Sequence, residues 1–203
     1  MPYLALITLV LYFALAFGWR SWRQWRRTGS TGFRGISGAV GSAEWLGGVL
    51  FIVAIAASLS APMVEIAGLV TPWAMLANPA VHTAGMALAV LGMLGTLWSQ
   101  TAMGDAWRIG VDRGERTELV ARGPFRHVRN PIFTSMVVGL GGIALLTPNL
   151  LAAVALVALV VALQLQVRLV EEPYLVATHG AGYRRYAART GRFMPAMGRL
   201  QEN

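Results

Sequence analysis

Two clusters in this chain hold residue types that could do chemistry. Glu171 and Glu172 stand side by side at the end of an apolar run, with Gln164, Gln166 and Arg168 before them and His179, Tyr183, Arg184, Arg185, Tyr186 and Arg189 after. The interval from Gly104 to Pro131 packs Arg108, Asp112, Arg113, Glu115, Arg116, Glu118, Arg122, Arg126, His127 and Arg129 between two further apolar runs. Paired carboxylates suit a cationic ligand group, and an arginine fork suits a carboxylate, so the two clusters together could hold a zwitterion. Pro131 fits the first turn of a helix, whose free N–H groups would add a pull on anions beside Arg129. A plainer reading competes: Arg168 lies at helical spacing from both glutamates and could simply pair with them. Pro173, lacking an N–H, complicates a continuous helix there.

The elements that must position these clusters are apolar runs over about residues 2–18, 43–61, 80–103, 132–147 and 149–167. Each approaches the ~20 residues needed to cross a bilayer. All 17 basic residues are arginines, confined to the intervals 19–35, 104–131 and 168–199. The positive-inside rule then orients five transmembrane helices consistently, with the N-terminus outside, the C-terminus cytoplasmic and both clusters on the cytoplasmic face. The expected fold is an all-α integral, multi-pass membrane protein. We divide it into residues 1–79, two helices with a basic loop between them, and residues 80–203, three helices with the chemistry-bearing segments.

Composition narrows the function classes. With 56% hydrophobic and 13% charged residues the chain is too apolar for an ordinary soluble domain. A net charge of +8 would suit nucleic acid, but bilayer-length apolar runs separate the arginines, which favours headgroups and small anionic ligands over nucleic acid. The absence of cysteine removes thiol catalysis, and His82 has no spaced partner for a metal site. Gly139, Gly141 and Gly142 lack the flanking strand and acidic residue of a nucleotide loop. The first run lacks a basic segment before it, which opposes a cleaved signal peptide, and Trp19, Trp22 and Trp25 interleave with arginines as an interfacial belt. Thr28–Gly41 reads as a loop. Pro62, Pro72, Asn78 and Pro79 predict a short outer connection with some surface helix. Gly85, Ala89, Gly92 and Thr96 predict a close helix contact. Thr147, Pro148 and Asn149 predict a tight hairpin between the last two runs.

The run Leu119-Val120-x-x-Gly123-Pro124-Phe125-x-x-x-Arg129-Asn130-Pro131-Ile132-Phe133 is followed by Glu171-Glu172-x-x-Leu175, by Gly180-x-x-Tyr183-x-x-Tyr186 and by Pro195. In this order the motifs resemble the isoprenylcysteine carboxyl methyltransferase family, most of all its short bacterial branch. The stretch Met103–Asp112 is similar as well, and the resemblance covers roughly residues 80–195. It implies an inner-membrane enzyme using S-adenosyl-L-methionine, enclosed near the cytoplasmic face by the loop before the fourth run and the segment after the fifth. It implies cofactor contacts from Leu119, Gly123, Pro124, His127, Arg129, Asn130, Pro131, Phe133, Glu171 and Glu172, with Arg129 and Glu172 nearest the chemistry. Gln100, Trp107 and Arg168 fall on the substrate side. Asn130 stands where many members carry His, and Phe133 where many carry Tyr, so one ring nitrogen and one hydroxyl are absent here.

A sulfonium methyl group is already activated and a carboxylate is already nucleophilic, so alignment should dominate over acid–base catalysis. Arg129 would hold a carboxylate, of substrate or cofactor, and Glu171 or Glu172 the cofactor's cationic groups. His127 is either a proton acceptor for an amine or a polar loop residue; Gln100 either lines the pocket or bonds a neighbouring helix. The expected partners are the lipid bilayer and an amphiphilic, lipid-like acceptor, by resemblance the carboxylate of a prenylated cysteine. The alternatives are a phospholipid amine acceptor, an NADPH-dependent membrane reductase, and a noncatalytic membrane protein.

Overall fold

The computed structural model describes residues 1–32, 36, 38–107 and 118–200. Arg34, Arg108, Asp112, Arg113, Glu115 and Arg116 lie outside the described residues. Helices α1 (Pro2–Phe13) and α2 (Arg20–Thr28) are joined without a break by a π-helical turn, Ala14–Trp19. There follow α3 (Ala43–Ile66), α4 (Pro79–Met103), α5 (Pro131–Leu146) and α6 (Leu150–Leu165). A second π-helical turn, Gln166–Glu171, leads into α7 (Glu172–His179), and α8 (Ala181–Arg189) ends the helical part. Among the described residues there is no strand, only an isolated bridge between Val128 and Gly191.

Four stretches are long and apolar enough to cross a membrane: Pro2–Thr28, Ala43–Ile66, Pro79–Met103 and Leu150–His179. The fifth apolar helix, α5, has only 16 residues. At 1.5 Å per residue it is about 24 Å long, short of the ~30 Å hydrocarbon core. Pro131 fixes its start and the Thr147–Pro148–Asn149 turn its end. Branched aliphatic side chains on α1, α4 and α6, such as Ile7, Leu91 and Val157, face outward, as lipid contact requires.

Relative helix directions follow from the side chains that meet. Tyr12 Oη and Thr96 Oγ1 lie 2.7 Å apart, Gln100 Nε2 donates to Ala16 O at 2.8 Å, and Arg20 Nη2 donates to Gly104 O at 2.7 Å. The partners advance together by one turn, so α1 and α4 run parallel. α4 and α5 are antiparallel and close: a Cβ on Gly92 would run into the backbone of Gly139, and one on Gly85 would lie 2.8 Å from Gly142 O. Here the expected small-residue face of the third run finds its partner in the glycines of the fourth. α3 and α6 are also antiparallel. Asn149 caps α6 through Ala152 N and donates to Ala61 O at 3.0 Å.

Two local expectations are corrected. Pro62 does not end the second span, because it sits one turn before the end of α3 and removes a single hydrogen bond there. No surface helix forms between Ala67 and Asn78, which instead make turns tied to the opposite hairpin by Trp73 N donating to Pro148 O at 2.7 Å.

Candidate functional site

The site lies where the C-terminal end of α6 meets the N-terminal end of α5. A helix running into Pro173 loses the N–H that would bond one turn back, and the chain answers with a π-helical turn over Gln166–Glu171. Glu172 emerges from it buried, against Arg129 at the threshold of α5. Arg129 Nη2 donates to Glu172 Oε1 at 2.6 Å, while Arg192 donates from Nε and Nη2 to Oε1 and Oε2, both at 2.8 Å. Hydrogen bonding to this carboxylate raises the Arg192 guanidinium above its ordinary value, outweighing the opposing effect of partial burial. Glu172 is therefore the centre of a clasp between two arginines.

Arg129 also ties down the segment after α8. Its Nη1 donates to Ala187 O at 2.9 Å and to Thr190 O, and its Nη2 to Gly198 O at 2.9 Å. Residues 190–198 form a strap over the start of α5: Arg129 N donates to Gly191 O at 2.7 Å, Asn130 Nδ2 to Arg192 O at 3.0 Å and Thr134 Oγ1 to Phe193 O at 2.7 Å. Buried Arg129 Nε has no hydrogen-bond partner among the described residues. Tyr186 Oη donates to Phe125 O at 2.7 Å and fixes α8 to the loop before α5. Burial pushes the Tyr186 phenol up to about 12 and Tyr183 higher still, so both are neutral donors at ordinary pH.

Beside the clasp is a cavity of about 290 Å³. Glu118, Arg129, Glu171, Glu172, Tyr183 and Tyr186 line its polar end, with Glu44 from the start of α3. Deeper in the bundle its walls are Phe17, Phe51, Ile52, Met136, Ala162 and Leu163. The cavity thus passes from charged to apolar within one enclosure.

Of the residues singled out from sequence, Leu119, Arg129, Asn130, Phe133, Glu171 and Glu172 line this cavity. Gly123, Pro124, His127 and Pro131 do not. Gly123 adopts φ +57° and Pro124 is buried in the short helical turn Gly123–Arg126, so these shape the loop, while His127 is exposed. Gln100, on α4, is buried against Ala16 of the π-helical turn after α1 and does not line the cavity, and Trp107 is buried beneath Arg20, whose guanidinium lies 4.5 Å from the ring centroid. Arg168 is exposed and donates to Gln164 Oε1 at 2.8 Å. The expected pairing of Arg168 with Glu172 is not the one formed: Glu172 pairs with Arg129 and Arg192, whose guanidiniums already engage both of its carboxylate oxygens, and Arg168 turns to Gln164.

Sequence reasoning missed Arg192, Glu44, Phe17 and Phe51. Arg192 had no signal beyond its nearness to Pro195, and the other three lie in the two N-terminal spans, beyond the resemblance. Tyr183 and Tyr186 were motif residues without an assigned role. Among the described residues no cluster of His, Asp or Glu could hold a metal ion.

A helical membrane protein whose interfacial cavity joins carboxylates to an apolar pocket defines the class. The sequence profile of the phospholipid methyltransferase family matches residues 80–182, just over half of the chain, and the protein belongs to that family. The chain is similar to nickel-cobalt-cadmium resistance protein NccN of Alcaligenes xylosoxydans xylosoxydans, 30% identical over 112 residues, 55% of this chain. That stretch is 51% of the relative, so the chain spans about half the length of the curated protein it matches. No solved structure gives a significant match.

Proposed function

We propose that this protein transfers the methyl group of S-adenosyl-L-methionine to an amphiphilic acceptor that enters the cavity from the bilayer. The observation that carries this reading is the single cavity gathering Leu119, Arg129, Asn130, Phe133, Glu171 and Glu172 from two distant parts of the chain, and continuing into an apolar pocket. The lining fits the cofactor: carboxylates at Glu44, Glu118 and Glu171 stand at the polar end for cationic groups, and the unsatisfied Arg129 Nε is a buried donor for an acceptor atom. When bound, S-adenosyl-L-methionine would supply a methyl carbon activated by its sulfonium, transferable to an acceptor lone pair with S-adenosylhomocysteine as the leaving group.

The chain's own residues bind and align. Glu171 holds the cofactor's cationic portion, while Arg129 and Arg192 hold Glu172 and so fix the wall against which the cofactor lies. Phe133 and Asn130, on the first turn of α5, close the side opposite α7. Phe17, Phe51 and Met136 take the acceptor's hydrocarbon and exclude water from the transfer. The carboxylate of a prenylated cysteine is the acceptor favoured by the motif resemblance. The second reading, a phospholipid amine, is favoured by the described charged residues lining the cavity, in which four glutamates accompany one arginine already engaged by Glu172.

Calorimetric titration of the detergent-purified protein with S-adenosylmethionine and S-adenosylhomocysteine, with NADPH in parallel, tests the reading. Saturable binding of both adenosyl ligands, lost in Glu171→Gln while the thermal midpoint is kept, is the expected result. Binding of NADPH alone would assign the site to a reductase, and binding of none would leave a noncatalytic membrane protein.

A further inference from the structure

α2 continues the first span past its apolar part and carries no acidic residue. From Pro2 to Gly18 the helix rises about 25 Å, which brings Trp19–Arg27 to the depth where hydrocarbon gives way to headgroups. Arg20 and Gln24 form its inward face: Arg20 donates to Gln24 Oε1 at 2.9 Å and to Gly104 O, and stacks on Trp107. These contacts fix the helix's rotation and turn three indoles outward, Trp19 at 42%, Trp22 at 54% and Trp25 at 51% exposure.

Arg23 and Arg26 form no ion pair with any described residue. Each lies instead over an indole one turn back on the same helix, Arg23 at 5.4 Å from the Trp19 ring and Arg26 at 5.6 Å from the Trp22 ring. A guanidinium stacked by its face keeps its N–H edge for an outside acceptor, and the stack holds it in place at little further entropic cost. Two such forks one turn apart, at headgroup depth and flanked by indoles, match one chemistry.

We infer that the Arg23–Trp19 and Arg26–Trp22 stacks form a binding site for the phosphate of an anionic phospholipid. The guanidinium edges take the phosphate oxygens and the indoles pack beside the glycerol and upper acyl chain. This site is independent of the cavity and of the methyl-transfer reading. It sits at the same end of the bundle, on the outer surface of the helix whose inner face holds Gly104 and Trp107.

Native mass spectrometry of the full chain, titrated with dioleoyl phosphatidylglycerol and in parallel with dioleoyl phosphatidylcholine, tests it. The wild type should retain the anionic lipid in preference. Each of Arg23→Gln and Arg26→Gln should weaken that preference about five-fold, and the double substitution about 25-fold. Arg184→Gln/Arg185→Gln, which removes two arginines elsewhere, should leave it intact. Arg23→Lys/Arg26→Lys, which keeps both charges but removes the stacked forks, should lose a substantial part of it, and full retention would overturn the site in favour of charge alone. Equal retention of the two lipids by the wild type would overturn the inference, as would a double Gln variant with wild-type preference, or displacement of the lipid by inorganic phosphate or a short oligonucleotide at equal concentration.

Discussion

Helix α5 is joined to the rest of the molecule by opposite means at its middle and at its start. Along its length it meets α4 through Gly139 and Gly142 against Gly92 and Gly85, backbone to backbone. At its start Arg129 enters a buried network with Glu172, Arg192 and the carbonyls of Ala187, Thr190 and Gly198. The difference follows from the surroundings. In lipid an apolar side chain gains little by leaving its solvent, so close van der Waals approach decides which helices pair. At the membrane surface the backbone segments that cover the site need donors, and one arginine fork serves several carbonyls at once.

The sharpest way to break this comparison is at the clasp. Glu172→Ala leaves Arg129 and Arg192 facing each other with no carboxylate, and should lower unfolding free energy by about 3–5 kcal/mol in denaturant titrations of the detergent-solubilised protein. A loss below about 1 kcal/mol would mean that the strap's backbone bonds suffice. At the α4–α5 contact, Gly92→Ala places a methyl group against the Gly139 backbone and should cost about 1–3 kcal/mol in the same assay. The folded fraction should still bind the adenosyl ligand, because the polar end of the cavity lies at the start of α5 and neither Gly92 nor Gly139 lines it. A conservative change in the α1–α4 ladder tests whether polar contacts matter inside the bundle: Thr96→Val removes the partner of Tyr12 Oη and should cost only about 0.6 kcal/mol. Smallest of all, Arg168→Gln should change stability by less than about 0.5 kcal/mol, since this exposed side chain contacts only Gln164. Its adenosyl-ligand titration should superimpose on that of the wild type, and a measurable drop in affinity would return Arg168 to the site.

Much of the site was legible because covalent rules marked it. Pro131 opened α5 where a proline can open a helix, and Gly123-Pro124 made the turn before it. Glu172 came out bonded to Arg129 itself, so the carboxylate and the guanidinium expected to hold opposite charges of one ligand hold each other instead. Other parts were not legible. Nothing in the spacing of Arg168, Glu171 and Glu172 announces the π-helical turn, nor that Glu172 takes Arg129 and Arg192, 43 and 20 residues away, as partners in place of Arg168. Gln100 illustrates the same limit: a polar residue near the end of a span could face a pocket or a neighbour, and the free carbonyl of Ala16 in the first π-helical turn took it.

By itself the sequence determined an all-helical membrane protein, the proline-marked starts of α4 and α5, and the three intervals that carry its arginines, because apolar run length, proline and arginine placement act locally. Only the tertiary structure decided that the two N-terminal spans supply cavity walls through Phe17 and Phe51, and that Arg192 reaches Glu172. These outcomes depend on which helix faces meet and on how far each helix is rotated, and two π-helical turns reset that rotation where periodicity alone would have carried it onward.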